Sequence, residues 1–150
     1  MSAPPSASDW ASPPEFYLDE NVVSRSVRRR LTGLGYAVHT PPELYGSREA
    51  SSGTRDEDWL ARVSPHGWTV IGRDAKIMER PSELAAYRDA RLHMFLLPGQ
   101  ATTARLVQLV ETNLPGMCTF AAARKPDVWR LTDTGPELVP RRTPERARGG

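Results

Sequence analysis

Short apolar runs alternate with stretches of helical period along this chain, and that alternation constrains the fold more than any other feature. EFYLD (15–19), YAVHT (36–40), WTVIG (68–72), LHMFLLP (92–98) and DVWRLTD (127–133) read as strands. Between the first two, VVSRSVRRRLTGLG (22–35) carries Val23, Val27, Leu31 and Leu34 at helical spacing, with Gly33 and Gly35 as stop signals. DEDWLARVS (56–64) reads as a short helix with acidic residues in its first turn, and SELAAYRDA (82–90) as a helix started by Pro81. TARLVQLVETNLP (103–115) is an amphipathic helix, and MCTFAAAR (117–124) a further short one. Parallel strands need crossovers too long for a turn, and a crossover helix covers one face of the sheet. The expected fold is therefore α/β, with three layers and a mostly parallel central sheet between helices.

The ends depart from this pattern. Residues 1–14 (MSAPPSASDWASPP) and 134–150 (TGPELVPRRTPERARGG) hold seven of the 14 prolines and few apolar groups. Such segments bury too little surface to offset their ordering entropy, so both read as flexible extensions around a domain of residues 15–133. With 150 residues, one domain is all the chain can hold.

The net charge of +2 argues against a polybasic nucleic-acid coat, although 18 of the 20 basic residues are arginines. One cysteine, Cys118, and three scattered histidines offer neither a disulfide nor a zinc spacing. No apolar run reaches the roughly 18–20 residues of a membrane span, and no signal-peptide pattern opens the chain. A cytoplasmic location without membrane contact is the expectation.

In an open parallel sheet, ligands bind beyond the carboxyl ends of the strands. The first strand delivers Asp19, followed by Glu20 and Asn21, and the third delivers Asp74 through Arg73. Asp56-Glu57-Asp58 opens the helix that precedes the third strand. If strands one and three are neighbours, Asp19 and Asp74 share a rim onto which Asp56 or Asp58 can be lowered. Carboxylates brought together repel unless a cation intervenes, and ligation by oxygen alone suits Mg²⁺ or Mn²⁺. Such an ion supports phosphodiester hydrolysis. The plainer account makes Asp56 a helix cap and the other carboxylates turn formers.

At LDEN (18–21), DEDWL (56–60) and TVIGRDAKI (69–77), the sequence resembles the PIN-like domains, in particular the branch of VapC-type toxins. LGYAVHT, RPSELAAYRDARLHMFLLPG and VWRLTD extend the resemblance over nearly all of residues 16–133. It implies a PIN-like α/β/α fold and a Mg²⁺- or Mn²⁺-dependent endoribonuclease, a toxin silenced by a cognate antitoxin. The family also admits a homodimer. Matched residue by residue, Asp19, Asp56 and Asp74 take the acidic positions, with Asp58 competing with Asp56. Where many relatives carry a further Asp, this chain has Lys76. Its ammonium could clamp the scissile phosphate or stabilise the leaving oxygen, or it could merely pair with the acidic cluster.

For the RNA backbone, Arg48 and Arg55 in the long loop of residues 41–55, Arg73 beside Asp74, and Arg25 at the start of the first helix are the candidates. Arg28, Arg29 and Arg30 read better as a solvated helix face. Asn21 could fix a carboxylate or the metal water, or cap the first helix. His39 could move protons or be structural, Trp68 and Cys118 are spaced like core, and Trp10 could anchor a partner. Two other functions compete. One is a catalytically degenerate PIN-like module that binds RNA or protein, consistent with Lys76. The other is a phospho-acceptor receiver domain, disfavoured because no Lys follows LHMFLLPGQATT.

Overall fold

The computed structural model describes residues 4–18, 25–40, 63–74 and 81–139, with backbone alone at 64, 74 and 81–84. Six strands form one sheet: β1 (Phe16–Leu18), β2 (Val38–His39), β3 (Thr69–Asp74), β4 (Met94–Pro98), β5 (Val128–Thr132) and β6 (Gly135–Leu138). Their order is β2-β1-β3-β4-β5-β6. The first five are parallel and β6 is antiparallel to β5. Three α-helices are described: α1 (Arg25–Gly33), α2 (Pro81–Asp89) and α3 (Thr103–Ala122).

Side chains alternate across the strands, and each face has its own apolar layer. Phe16, Leu18, Ile71, Phe95, Leu97 and Leu131 bury against Val27 and Leu31 of α1 and the inner stripe of α3. Tyr17, Val70, Met94, Leu96 and Val128 pack on the other face with Tyr87 of α2, Val63 and Trp68. Burial on both faces explains why LHMFLLP reads as a continuous apolar run. The expected three-layer α/β fold with a mostly parallel sheet is the one observed. An Arg30–Glu111 ion pair ties α1 to α3, and Arg88 Nε donates to Asp127 Oδ1 at 2.8 Å, tying α2 to the start of β5.

Several elements differ from the sequence expectation. β3 continues through Arg73 to Asp74, because β4 offers a ladder as far as Leu97 and Pro98. The two helices expected on either side of Gly116 are one, Thr103–Ala122, with Pro115 inside. Proline removes one N–H from the ladder, but Leu114, Met117 and Cys118 are all buried on the same side. Their packing keeps the helix continuous across the local break.

β6 lies beyond the boundary expected at residue 133. It pairs Thr132↔Gly135, Leu131↔Pro136, Arg130↔Glu137 and Trp129↔Leu138, and it carries Val139 into the second core layer. Proline is tolerated there because β6 is an edge strand. Gly116 makes this approach possible: an added Cβ would stand 2.6 Å from Pro136 Cδ. The described part of the N-terminal segment is docked as well. The Ala7 N–H donates to Leu34 O at 2.8 Å, and Trp10 Nε1 donates to Tyr36 Oη at 2.9 Å. Trp10 thus anchors the segment to its own domain. Among the described residues, no helix is long and apolar enough to cross a membrane.

Candidate active site

The strand order reverses direction between β1 and β3, since β2 lies to one side of β1 and β3, β4 and β5 follow on the other. Crossovers leaving to opposite sides open a crevice at such a switch point, beyond the carboxyl ends of the two strands. β1 and β3 are parallel neighbours, with Phe16↔Thr69, Tyr17↔Val70 and Leu18↔Ile71 in register. β1 therefore ends at Leu18 beside the strand that delivers Asp74. In the chain, Asp19 follows Leu18 directly. The condition set by the sequence, that strands one and three be neighbours, is met.

Asp74 is the last residue of β3, paired with Pro98 of β4. Asp19, Asn21, Arg48, Arg55, Asp56, Asp58 and Lys76 lie outside the described residues. Among the described residues, no group of three or more His, Cys, Asp or Glu side chains is placed to hold a metal. The donor set in the sequence, carboxylates without His or Cys at this edge, is the chemistry that Mg²⁺ and Mn²⁺ prefer.

Arg73 is at the expected edge, and its fork is partly engaged. Nε donates to Pro98 O and Nη2 to Ala101 O, both at 3.4 Å, so the side chain braces the turn between β4 and α3. Nη1 makes no hydrogen bond among the described residues. Arg25 opens α1 as described and is exposed, as are Arg28 and Arg29, while Arg30 is committed to Glu111.

The amino end of α3 also lies at this edge, because it follows β4 after a short turn. Thr102 caps it, accepting from the Arg105 N–H at 3.2 Å. An uncompensated helix start carries partial positive charge, which suits a phosphate.

Sequence reasoning missed Asp133, which follows β5 as Asp19 follows β1. Arg105 Nη1 donates to its Oδ1 at 2.7 Å and to Gln108 Oε1 at 2.9 Å. That hydrogen bond holds the Asp133 carboxyl below its usual range and raises Arg105. The available signal was its position, an acidic residue directly after a strand.

His39 does not face this rim. Its Nε2 lies 2.7 Å from Glu15 Oε1, and its ring stacks on Trp68 at 3.9 Å between centroids. His66 also stacks on Trp68, at 4.1 Å. Trp68 and Cys118 are core, as their spacing suggested.

The family profile described as "PIN like domain" matches residues 14–99, more than half of the chain. The chain belongs to the PIN-like domain family. The matched region runs from the start of β1 to the end of β4 and so contains both sides of the switch point. In this PIN-like domain, α3, β5 and β6 lie beyond the match. No curated protein and no solved structure matches the chain.

Proposed function

We propose that this PIN-like domain is a metal-dependent endoribonuclease, the toxin of a toxin–antitoxin pair, with RNA as substrate and its antitoxin and a second copy of the chain as partners. The observation that carries the reading is the switch point between β1 and β3, where two strands followed by or ending in Asp leave the sheet at one edge. Membership of a family whose members are often nucleases supports it. Asp19, Asp74 and either Asp56 or Asp58 would hold Mg²⁺ or Mn²⁺. A bound divalent cation supplies positive charge for the phosphodiester oxygens and makes water more acidic. Lys76 would act on the scissile phosphate or the leaving oxygen, while Asn21 orients a carboxylate. Arg25, Arg48, Arg55 and Arg73 would hold the RNA backbone.

The test is Mn²⁺-dependent cleavage of single-stranded RNA by the wild-type chain, with Asp19→Asn and Asp74→Asn alongside. Each substitution is expected to lower the rate at least 100-fold without changing the melting temperature by more than a few degrees. Retained cleavage in both variants overturns the site. Lys76, standing where relatives carry Asp, favours one second reading, a binding module without cleavage. RNA binding by a wild-type chain that cuts nothing with Mg²⁺ or Mn²⁺ would establish it.

A further inference from the structure

At the opposite edge of the sheet, where β3 and β4 begin, a cavity of about 490 Å³ lies between the segment leading into β1, the turn before β3 and the carboxyl end of α3. Its size is within the range of small-molecule sites. Arg91 and Arg124 both line it, and no carboxylate does among the described residues. Both arginines are exposed, and neither has a side-chain partner among the described residues.

The backbone at these two positions is unusual. Arg91 has φ 57° and Arg124 φ 54°, the two non-glycine residues described in the left-handed region. Each stands two residues past the end of a helix, α2 at Asp89 and α3 at Ala122. Glycine is the residue normally found at that position, because a Cβ is strained there. Two arginines therefore occupy two glycine positions, and both line the same cavity. Strain of this kind persists only where the surrounding structure enforces it, and such positions cluster at ligand sites.

A third feature belongs to the wall. His93 Nε2 is buried and has no hydrogen-bond partner among the described residues. Buried polar atoms are nearly always satisfied, and this one has almost no accessible surface, so it marks tight packing behind the wall and not a donor offered to the cavity. Leu92 and Ala122 supply apolar wall, and Thr69 and Ser12 supply hydroxyls.

We infer that this cavity binds a small phosphate monoester, with Arg91 and Arg124 supplying charge for the phosphate and the wall around Leu92, His93 and Ala122 receiving the organic part. Guanidinium groups match phosphate oxygens with paired N–H donors. The site is separate from the carboxyl edge: β3 runs from Thr69 at the cavity to Asp74 at the other rim. The inference does not depend on nuclease activity.

Calorimetric titration of the full chain with adenosine 5′-monophosphate, glucose 6-phosphate, inorganic phosphate and adenosine tests it, together with the Arg91→Gly/Arg124→Gly double variant. At least one monoester should bind with micromolar Kd, at least tenfold tighter than inorganic phosphate or adenosine. The double variant should weaken that binding at least tenfold while melting at or above the wild-type temperature, since glycine relaxes both left-handed positions. A purely structural role for the arginines, complementing the helix ends, predicts no ligand to lose. Binding by neither monoester overturns the inference, as does monoester binding unchanged in the glycine variant or equalled by adenosine. Asp74→Asn should leave the titration unchanged, and loss of binding in that variant would place the ligand at the other edge and overturn the assignment.

Discussion

Gly116→Ala separates local helix preference from the tertiary packing of this fold. Inside a helix, alanine is favoured over glycine by about 0.8–1 kcal/mol, so α3 alone predicts a stabilising change. The structure predicts the opposite sign. An ideal Cβ at this position stands 2.6 Å from Pro136 Cδ and 2.9 Å from its Cγ, well inside contact distance. The proline ring cannot swing away as a flexible side chain would, and β6 is held on both sides of it by pairing with β5. Overpacking of this kind costs about 1–3 kcal/mol. Set against the propensity gain, the expected net loss is about 1 kcal/mol, or ~2–4 °C in Tm for a chain of this size.

Urea unfolding followed by circular dichroism measures the change, and a double-mutant cycle with Pro136→Ala isolates its cause. With the ring gone, Gly116→Ala should stabilise by about 1 kcal/mol, giving a coupling of about 2 kcal/mol between the two positions. A single variant that is more stable than wild type, with no coupling to position 136, would falsify the packing of β6 on α3.

Three further outcomes are expected. Tyr36 Oη accepts from Trp10 Nε1, donates to Pro5 O at 3.0 Å and lies 3.6 Å from Cys118 Sγ. Tyr36→Phe should therefore cost about 1–3 kcal/mol and speed chymotryptic cleavage after Trp10, and an unchanged cleavage rate would contradict the docking of this segment. Burial pushes the Cys118 thiol up to about 11, so iodoacetamide at pH 8 should label it only on unfolding, and prompt labelling of the native chain would be inconsistent with that environment. Burial lowers His93 below its ordinary value of 6.5. The unfolded chain then binds the proton more readily, so this contribution to stability is complete above pH 6.5 and is lost as pH falls toward the folded value. His93→Gln should flatten the slope of unfolding free energy against pH below 6.5, and an identical slope would contradict the burial of the ring.

The strand ends show how much of the candidate site was legible. Asp19 and Asp74 stand out because each comes directly at or after an apolar run, a local signal. That β1 and β3 are adjacent is not local, since β2 intervenes in sequence and is displaced to the outer side of β1. Arg73 stands beside Asp74 in the chain, yet no spacing rule could foresee that two of its donors brace Pro98 and Ala101. Asp133 had the same local signal as Asp19 and was passed over. The sequence leaves His39 between a proton-transfer and a structural role, and in the fold Glu15 and Trp68 surround it.

The sequence by itself determined the class of fold, the succession of strands and helices and the carboxylates at strand ends, because these follow from burial periodicity and from residue types within a few positions of one another. Only the tertiary structure decided the strand order, the continuity of α3 through Pro115-Gly116, and the recruitment of Gly135–Leu138 and of residues 4–14. Each of those depends on a partner far away in the chain. GPEL has no strand character of its own and becomes β6 because β5 presents an unpaired edge. A proline and a glycine end a helix locally, but here the core on one side and Pro136 on the other keep it continuous. The docked N-terminal segment has the composition of a flexible tail, and hydrogen bonds to Leu34 and Tyr36 supply the order that its own residues do not.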